Sequence, residues 1–119
     1  MPEINLCRSL PKSKRNLNQR VKHKDPAIIA ELKKFGHLYF DGPREYNYGG
    51  YYYDGRWVPV AKDMIDHFNL KPGHRVLDVG CAKGFLVKDF MHVMPGLEAF
   101  GLDISKYALD NSESEARGR

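Results

Sequence analysis

The stretch from Arg75 to Val87 constrains the fold of this chain most strongly. Residues 75–79 form a short apolar and β-branched run without turn formers, and Gly80 and Gly84 then open an apolar segment. This pattern predicts a buried strand, a glycine-rich turn and a helix. The amino end of such a helix presents unpaired N–H groups beside the strand end, which suits a nucleotide-like ligand.

The spacing of the glycines argues against two common nucleotide motifs. In the register of the dinucleotide fingerprint Gly-x-Gly-x-x-Gly, the chain has Gly80, Ala82 and Phe85, and phenylalanine would hold strand and helix apart. A phosphate-binding P-loop is also disfavoured, because Lys83 precedes the second glycine and no Gly-Lys-Ser/Thr follows. The remaining pattern is Asp-x-Gly-x-x-x-Gly, beginning at Asp78.

Residues 78–84, Asp-Val-Gly-Cys-Ala-Lys-Gly, resemble the first motif of the class I S-adenosylmethionine-dependent methyltransferases. Residues 101–105 resemble the acidic end of the second strand in the same family, and the aromatic run at 41–57 is similar to type 11-like members. The resemblance implies an α/β fold, a Rossmann-like three-layer sandwich. It is expected to be incomplete here, with the first two parallel strands and the preceding helices.

The resemblance also implies a set of cofactor contacts. Asp103 would accept hydrogen bonds from the ribose hydroxyls, and Asp78 would steer the ammonium group or brace the turn. The alternative, that both acids are only turn formers, is less favoured because they flank the glycines together. The cofactor-binding residues so implied are Asp78, Gly80, Cys81, Ala82, Gly84, Asp103 and Ile104.

One position departs from the family's commoner pattern. Cys81-Ala82 replaces the Gly-x-Gly found at the centre of the motif, and alanine is expected to be tolerated there on condition that its φ is negative.

Length and composition suggest how the chain is organised. With 119 residues it offers one small domain, and the family's domain is about twice as long, so we expect an amino-terminal portion that is inactive alone. We divide it into a basic disordered leader at 1–24, a helix with a Tyr/Gly-rich cap or lid at 25–57, and the truncated S-adenosylmethionine-binding part at 58–119. Two cysteines and no long apolar run predict a cytoplasmic protein without a membrane segment.

The positive charge is concentrated at the amino end. Residues 1–24 contain seven lysines and arginines against Glu3, a net charge of +6, whereas the whole chain has +4. Such a leader could bind nucleic acid through residues 8–24, and a non-catalytic or nucleic-acid-binding module is therefore the alternative function. A solvated leader is favoured, because no aromatic residue interleaves the basic ones.

The segment at 25–57 is unusual in composition. Asp25-Pro26 predicts a capped helix that ends at Gly36, followed by an extended link at 37–40. Six aromatic residues then follow with Gly49-Gly50 and Gly55 among them, and Asp54-Gly55 suggests a tight hairpin. This region is expected either to cover a flat ligand or to pack the end of the sheet, with Tyr46, Tyr48 and Tyr53 as candidate substrate or lid contacts.

Further helices are predicted from Pro59 to about Leu70, from Phe85 to Met94, and from Lys106, with Ser105 or Asp103 as the last cap. His67 and His74 have no third ligand at suitable spacing, so no metal site is predicted. If the parent protein is a methyltransferase, it transfers a methyl group in line to an unidentified acceptor, expected to be a small molecule. No catalytic residue is assigned.

Overall fold

The structure of the chain is a computed structural model that describes residues 2–12, 18 and 25–119. Over these residues it is a small α/β structure with two parallel strands. In chain order the elements are α1 (Pro26–Leu32), α2 (His37–Phe40), α3 (Val58–His67), β1 (Arg75–Val79), α4 (Phe85–Val93), β2 (Glu98–Leu102) and α5 (Lys106–Asp110).

Local chemistry explains where the helices begin. The Asp25 carboxylate accepts a hydrogen bond from the Ile28 amide at 2.9 Å and caps α1, as predicted. Pro59 lies in the first turn of α3, where no amide donor is needed. The Ser105 hydroxyl accepts from the Ala108 amide at 3.0 Å, which confirms Ser105 as the cap of α5.

The sheet pairs β1 with β2 in a register that aligns their carboxyl ends. Arg75 lies opposite Glu98, and Val79 lies opposite Leu102. Helix α4 connects the two strands and packs against both of them and against α3. Seven buried residues form the core between these elements, namely Ala61, Ile65, Cys81, Val87, Phe90, Leu97 and Ala99.

The prediction of a buried first strand is wrong for one of its faces. Leu77 and Val79 are 61% and 72% exposed, and Leu102 at the end of β2 is also exposed. Val76 points the other way and packs against the core, since side chains alternate along a strand. β1 therefore buries one face only.

Two local predictions in the segment 37–57 are also wrong. Residues 37–40 form the short helix α2 instead of an extended link, with Gly36 as its cap. Asp54-Gly55 does not make a hairpin, although Gly55 has the expected positive φ of 77°. The Asp54 carboxylate instead pairs with Arg56 at 2.7 Å, and the chain turns directly into α3.

An ion pair ties the described part of the 1–24 segment to α3. Residues 2–12 form no helix or strand, and Arg8 Nε lies 3.0 Å from an Asp63 carboxylate oxygen on α3. Half of the residues assigned to a disordered leader (1–24), and most of those assigned to a nucleic-acid contact (8–24), lie outside the described residues.

Candidate functional site

The glycine turn is built from backbone hydrogen bonds to the end of β2. The amides of Gly80 and Cys81 donate to the Leu102 carbonyl oxygen at 2.7 and 3.2 Å, and the Gly84 amide donates to the Cys81 carbonyl at 2.8 Å. Because the two strands are parallel and in register, their carboxyl ends meet here. The turn and the residues after β2 consequently form one continuous surface.

Asp103 joins the two halves of this surface. Its Oδ2 accepts from the Ala82 amide at 2.8 Å and its Oδ1 accepts from the Ser105 amide at 2.7 Å. The carboxylate thus braces the glycine turn and the start of α5 at once. Each carboxylate oxygen has a second lone pair, so this bracing does not exhaust what Asp103 can accept.

Asp78 lies behind the turn, at the penultimate position of β1. Burial, and then the negative charge of Asp103, raise the pKa of Asp78 above its usual value. The negative charge of Asp103 therefore acts on Asp78 at the carboxyl edge of the sheet. Only Asp103 lines the cavity described below.

Alanine at position 82 was expected to be tolerated on condition that its φ is negative, and this condition is not met. Its φ is 49°, a left-handed conformation that an L-residue adopts at a cost of roughly 1–2 kcal/mol. The turn forces this conformation because the Ala82 amide must reach Asp103 while Gly80, with φ of 85°, reverses the chain. Two other described non-glycine residues have a positive φ, Phe35 at 51° and Asn69 at 50°, and Asn69 lies outside the cavity. Ala82 and Phe35 line the same cavity, and such strain is typical of ligand-binding sites.

This cavity has a volume of about 390 Å³ and lies over the turn. We call it the strand-end cavity. Its lower wall comes from the turn and the ends of both strands, namely Val79, Gly80, Ala82, Leu102, Asp103 and Ile104. A Cβ added at Gly80 would meet no atom within 4 Å, so the turn faces open space here.

Aromatic residues from the segment before β1 form the upper wall. They are Phe35, Tyr39, Phe40 and Tyr48. The rings of Phe35 and Tyr39 meet edge to face at 5.0 Å, and those of Tyr39 and Tyr48 at 5.6 Å. The Ser105 hydroxyl donates to the Phe35 carbonyl, which holds this wall to the start of α5.

Five residues that the sequence singled out are brought together at this cavity. They are Gly80, Ala82, Asp103, Ile104 and Tyr48. Ile104 is 86% exposed, so most of its apolar side chain is open to solvent. Cys81 and Gly84 lie on the other side of the turn: the Cys81 thiol packs into the core beside Gly101, and a Cβ at Gly84 would lie 2.6 Å from Ala116.

The structure separates the three candidate tyrosines. Tyr48 lies at the cavity, whereas Tyr46 belongs to a turn at Pro43 and does not line the cavity. The Tyr53 hydroxyl donates to Asp89 Oδ1 at 2.6 Å and so points at α4. That hydrogen bond, then burial, raises the pKa of Tyr53 to about 12. Tyr53 therefore packs against α4, and the Lys88 ammonium lies 3.9 Å from the centre of its ring.

Lys83 is the main residue that sequence reasoning missed. It lies inside the glycine turn, is only 9% exposed, and its ammonium donates to both Asp41 carboxylate oxygens at 2.9 and 3.0 Å. A third hydrogen bond goes to the Tyr51 carbonyl at 2.7 Å. In the sequence, Lys83 served only as evidence against a P-loop. No residue near it in the sequence indicates that its partner is Asp41, 42 residues earlier.

Asp41 gathers contacts from three parts of the chain. Besides Lys83, it accepts from the Tyr107 hydroxyl at 2.6 Å and from the Tyr51 amide at 2.9 Å. Burial alone would raise the pKa of Asp41, but these hydrogen bonds outweigh burial and lower the pKa to about 2. We call the hydrogen-bonded cluster of Lys83, Asp41 and Tyr107 the lysine latch. It connects the segment at 37–57 to the glycine turn.

No family model, curated protein or solved structure matches the chain. In the part of the chain that the structure describes, no three His, Cys, Asp or Glu side chains are grouped as metal ligands. None of the described helices is long and apolar enough to cross a membrane.

Proposed function

We propose that the strand-end cavity binds S-adenosylmethionine and that the chain is the cofactor-binding part of a methyltransferase with a Rossmann-like sheet. The observation that supports this most is the convergence of the glycine turn, Asp103 and an aromatic wall on one cavity at the carboxyl ends of two parallel strands. Ligands of open parallel sheets bind at this edge.

The residues present fit this cofactor. About 390 Å³ lies within the range of roughly 300–1,000 Å³ typical of small-molecule sites. The open space above Gly80 leaves room for a ligand against the turn, where a side chain would obstruct it. Asp103 would hold the ribose diol, and Ile104 with the neighbouring aromatic wall would cover an adenine ring.

The chain's own contribution would be to bind, orient and exclude water. When bound, the cofactor supplies an electrophilic methyl group on sulfur, which passes to a nucleophilic atom of the acceptor as the sulfur leaves as a neutral thioether. Phe35, Tyr39 and Tyr48 would keep water from that exchange, since they form the wall opposite the turn. No general base is assigned among the described residues, and the acceptor is proposed to be a small molecule.

Calorimetric titration with S-adenosylhomocysteine tests the proposal, using Ile104→Ser as the informative variant. Ile104 is exposed, so serine should leave the free energy of unfolding almost unchanged while removing an apolar contact with the ligand. We expect an affinity loss of about 1 kcal/mol, roughly fivefold. Leu77→Ser is the matched control, because Leu77 is also exposed but does not line the cavity.

A folded wild-type chain that does not bind S-adenosylhomocysteine would contradict the proposal. Equal losses in Ile104→Ser and Leu77→Ser would place the ligand elsewhere. Asp103→Ala is less informative alone, because that change also removes the acceptor for the Ala82 and Ser105 amides.

A further inference from the structure

A second cavity adjoins the strand-end cavity. It has a volume of about 350 Å³, and Tyr48 lines both cavities, so the two meet at this residue. We call it the arginine cavity, because Arg44 and Arg56 line it together with aromatic rings and two glycines. A transferase needs two adjacent ligand sites, one for the group donor and one for the acceptor.

The charged side chains that line the arginine cavity are positive. Among the described residues, two guanidinium groups and no carboxylate line it. The Arg56 guanidinium forms an ion pair with Asp54, whose Oδ2 lies 2.7 Å away. Asp54 itself does not line the cavity. Arg44 is the second guanidinium group in the lining, and guanidinium groups recognise carboxylates and phosphates well.

The loop is shaped to place Arg44 at this wall. Arg44 Nη1 donates to the Asn47 carbonyl at 2.6 Å. Gly49 has a φ of 71°, and a Cβ there would lie 2.7 Å from the Cα, Cβ and Cδ of Arg44. Only glycine allows this backbone conformation and this close approach together, so the loop sequence and the Arg44 position depend on each other.

Flat rings form the remaining walls. Tyr51 stacks on Phe85 with centroids 4.6 Å apart and planes 15° apart, and Tyr48 tilts against Tyr51 at 4.6 Å. Burial first, then the neighbouring Tyr48 and Asp78, raise the pKa of Tyr51 to about 12, so its hydroxyl stays a neutral donor. Tyr51 was not among the tyrosines predicted from sequence, although the lysine latch holds its backbone on both sides.

We propose that the arginine cavity is the acceptor site and takes a small, ring-shaped acceptor with a carboxylate or phosphate group, the anion lying at Arg44 and the ring against Tyr48 and Tyr51. This inference rests on the proposed methyltransferase function, because only that function makes the ligand an acceptor. Positive charge gives the site its preference for anions, and the aromatic walls give it a preference for rings.

Trp57 makes the test specific, because it lines the arginine cavity and is the chain's one tryptophan. Benzoate, titrated against intrinsic fluorescence, should change the Trp57 emission and saturate in the millimolar range expected of so small a ligand. Benzamide, its neutral isostere, should bind at least tenfold more weakly. Arg44→Gln should weaken benzoate binding about tenfold, and Arg44→Lys, which keeps the charge, should retain the preference for benzoate over benzamide.

Arg75→Gln is the matched control. The Arg75 guanidinium lies 5.3 Å from the centre of the Phe100 ring, so it is another arginine beside an aromatic ring, but it lines neither cavity. Its loss should change benzoate affinity less than twofold. Unfolding curves show whether each variant is folded. If Arg44→Gln is not folded, the preference of Arg44→Lys for benzoate over benzamide is compared with that of the wild type.

Equal binding of benzoate and benzamide, no saturable response of Trp57, or unchanged affinity in Arg44→Gln would overturn the inference. A parallel titration with S-adenosylhomocysteine separates the two proposals. If S-adenosylhomocysteine binds and benzoate does not, the acceptor site is wrong and the cofactor site stands. If benzoate binds and S-adenosylhomocysteine does not, the cavity is an anion site but its acceptor role is overturned together with the methyltransferase proposal.

Discussion

Replacing Lys83 with methionine should destabilise the chain more than any other exchange of a single lysine in its described part. The Lys83 ammonium makes three hydrogen bonds of 2.7 to 3.0 Å, two of them to a carboxylate, and the residue is only 9% exposed. Methionine fills much of the same space, so the change removes the charge and the donors without opening a large cavity.

The magnitude follows from what remains around Asp41. Breaking a buried ion pair by removing one partner costs about 3–5 kcal/mol when the other charge is stranded. Asp41 is not stranded, because Tyr107 and the Tyr51 amide still donate to it and its side chain is 23% exposed. We therefore expect a loss of about 2–3 kcal/mol in the free energy of unfolding, the range for charge-assisted hydrogen bonds. This should lower the urea midpoint by roughly 1–2 M.

Urea unfolding followed by circular dichroism measures this loss, with Lys88→Met as the matched control. Lys88 also forms a partly buried ion pair, with Glu113 at 2.9 Å, but lies on α4 outside the turn. Its carboxylate partners are more exposed than Asp41, so its loss should cost about 1 kcal/mol or less. A cost below about 0.5 kcal/mol for Lys83→Met, or one no larger than that for Lys88→Met, would refute the latch.

Two further predictions concern the glycine turn and the lysine latch. Ala82→Gly should stabilise the chain by about 0.5–1 kcal/mol, because relief of the left-handed alanine exceeds the added entropy of glycine; an unfolding curve that moves to lower urea would contradict this. The pKa of Asp41 is about 2 in the folded chain against 3.8 ordinarily, so its contribution is present above pH 3.8 and is lost as the pH falls toward 2. Between pH 5 and pH 2 the wild type should lose about 2 kcal/mol more stability than Asp41→Asn, and equal losses would show that Asp41 is not the group responsible.

The parts of the fold that depend on neighbouring residues were predictable. Asp25 before Pro26 specifies a cap and a first turn, and Ser105 specifies the cap of α5, because each hydrogen bond spans three residues. The strand, turn and helix around Gly80 and Gly84 follow from hydrophobic pattern and glycine placement. That Gly80 and Asp103 would meet was also accessible, since parallel strands bring their carboxyl ends together.

The remainder depends on contacts between distant residues. Nothing near Lys83 indicates that Asp41, a residue in the turn after α2, is its partner, and nothing near Ala82 indicates that its amide must reach Asp103. The Asp54-Gly55 pair carries a hairpin signal, but an ion pair with Arg56 and the helix that follows make it a turn into α3. In each case a tertiary or side-chain contact decides between conformations that local sequence allows.

The central claim, that the strand-end cavity binds S-adenosylmethionine, is tested most directly by mapping where the ligand lies. In an amide NMR titration with S-adenosylhomocysteine, the resonances of Gly80, Ala82 and Ile104 should shift together and saturate with one dissociation constant. Those of Lys62 and Asp66, on the exposed side of α3, should remain in place. Absence of any shift in the folded chain, or shifts confined to residues away from the strand ends, would contradict the account.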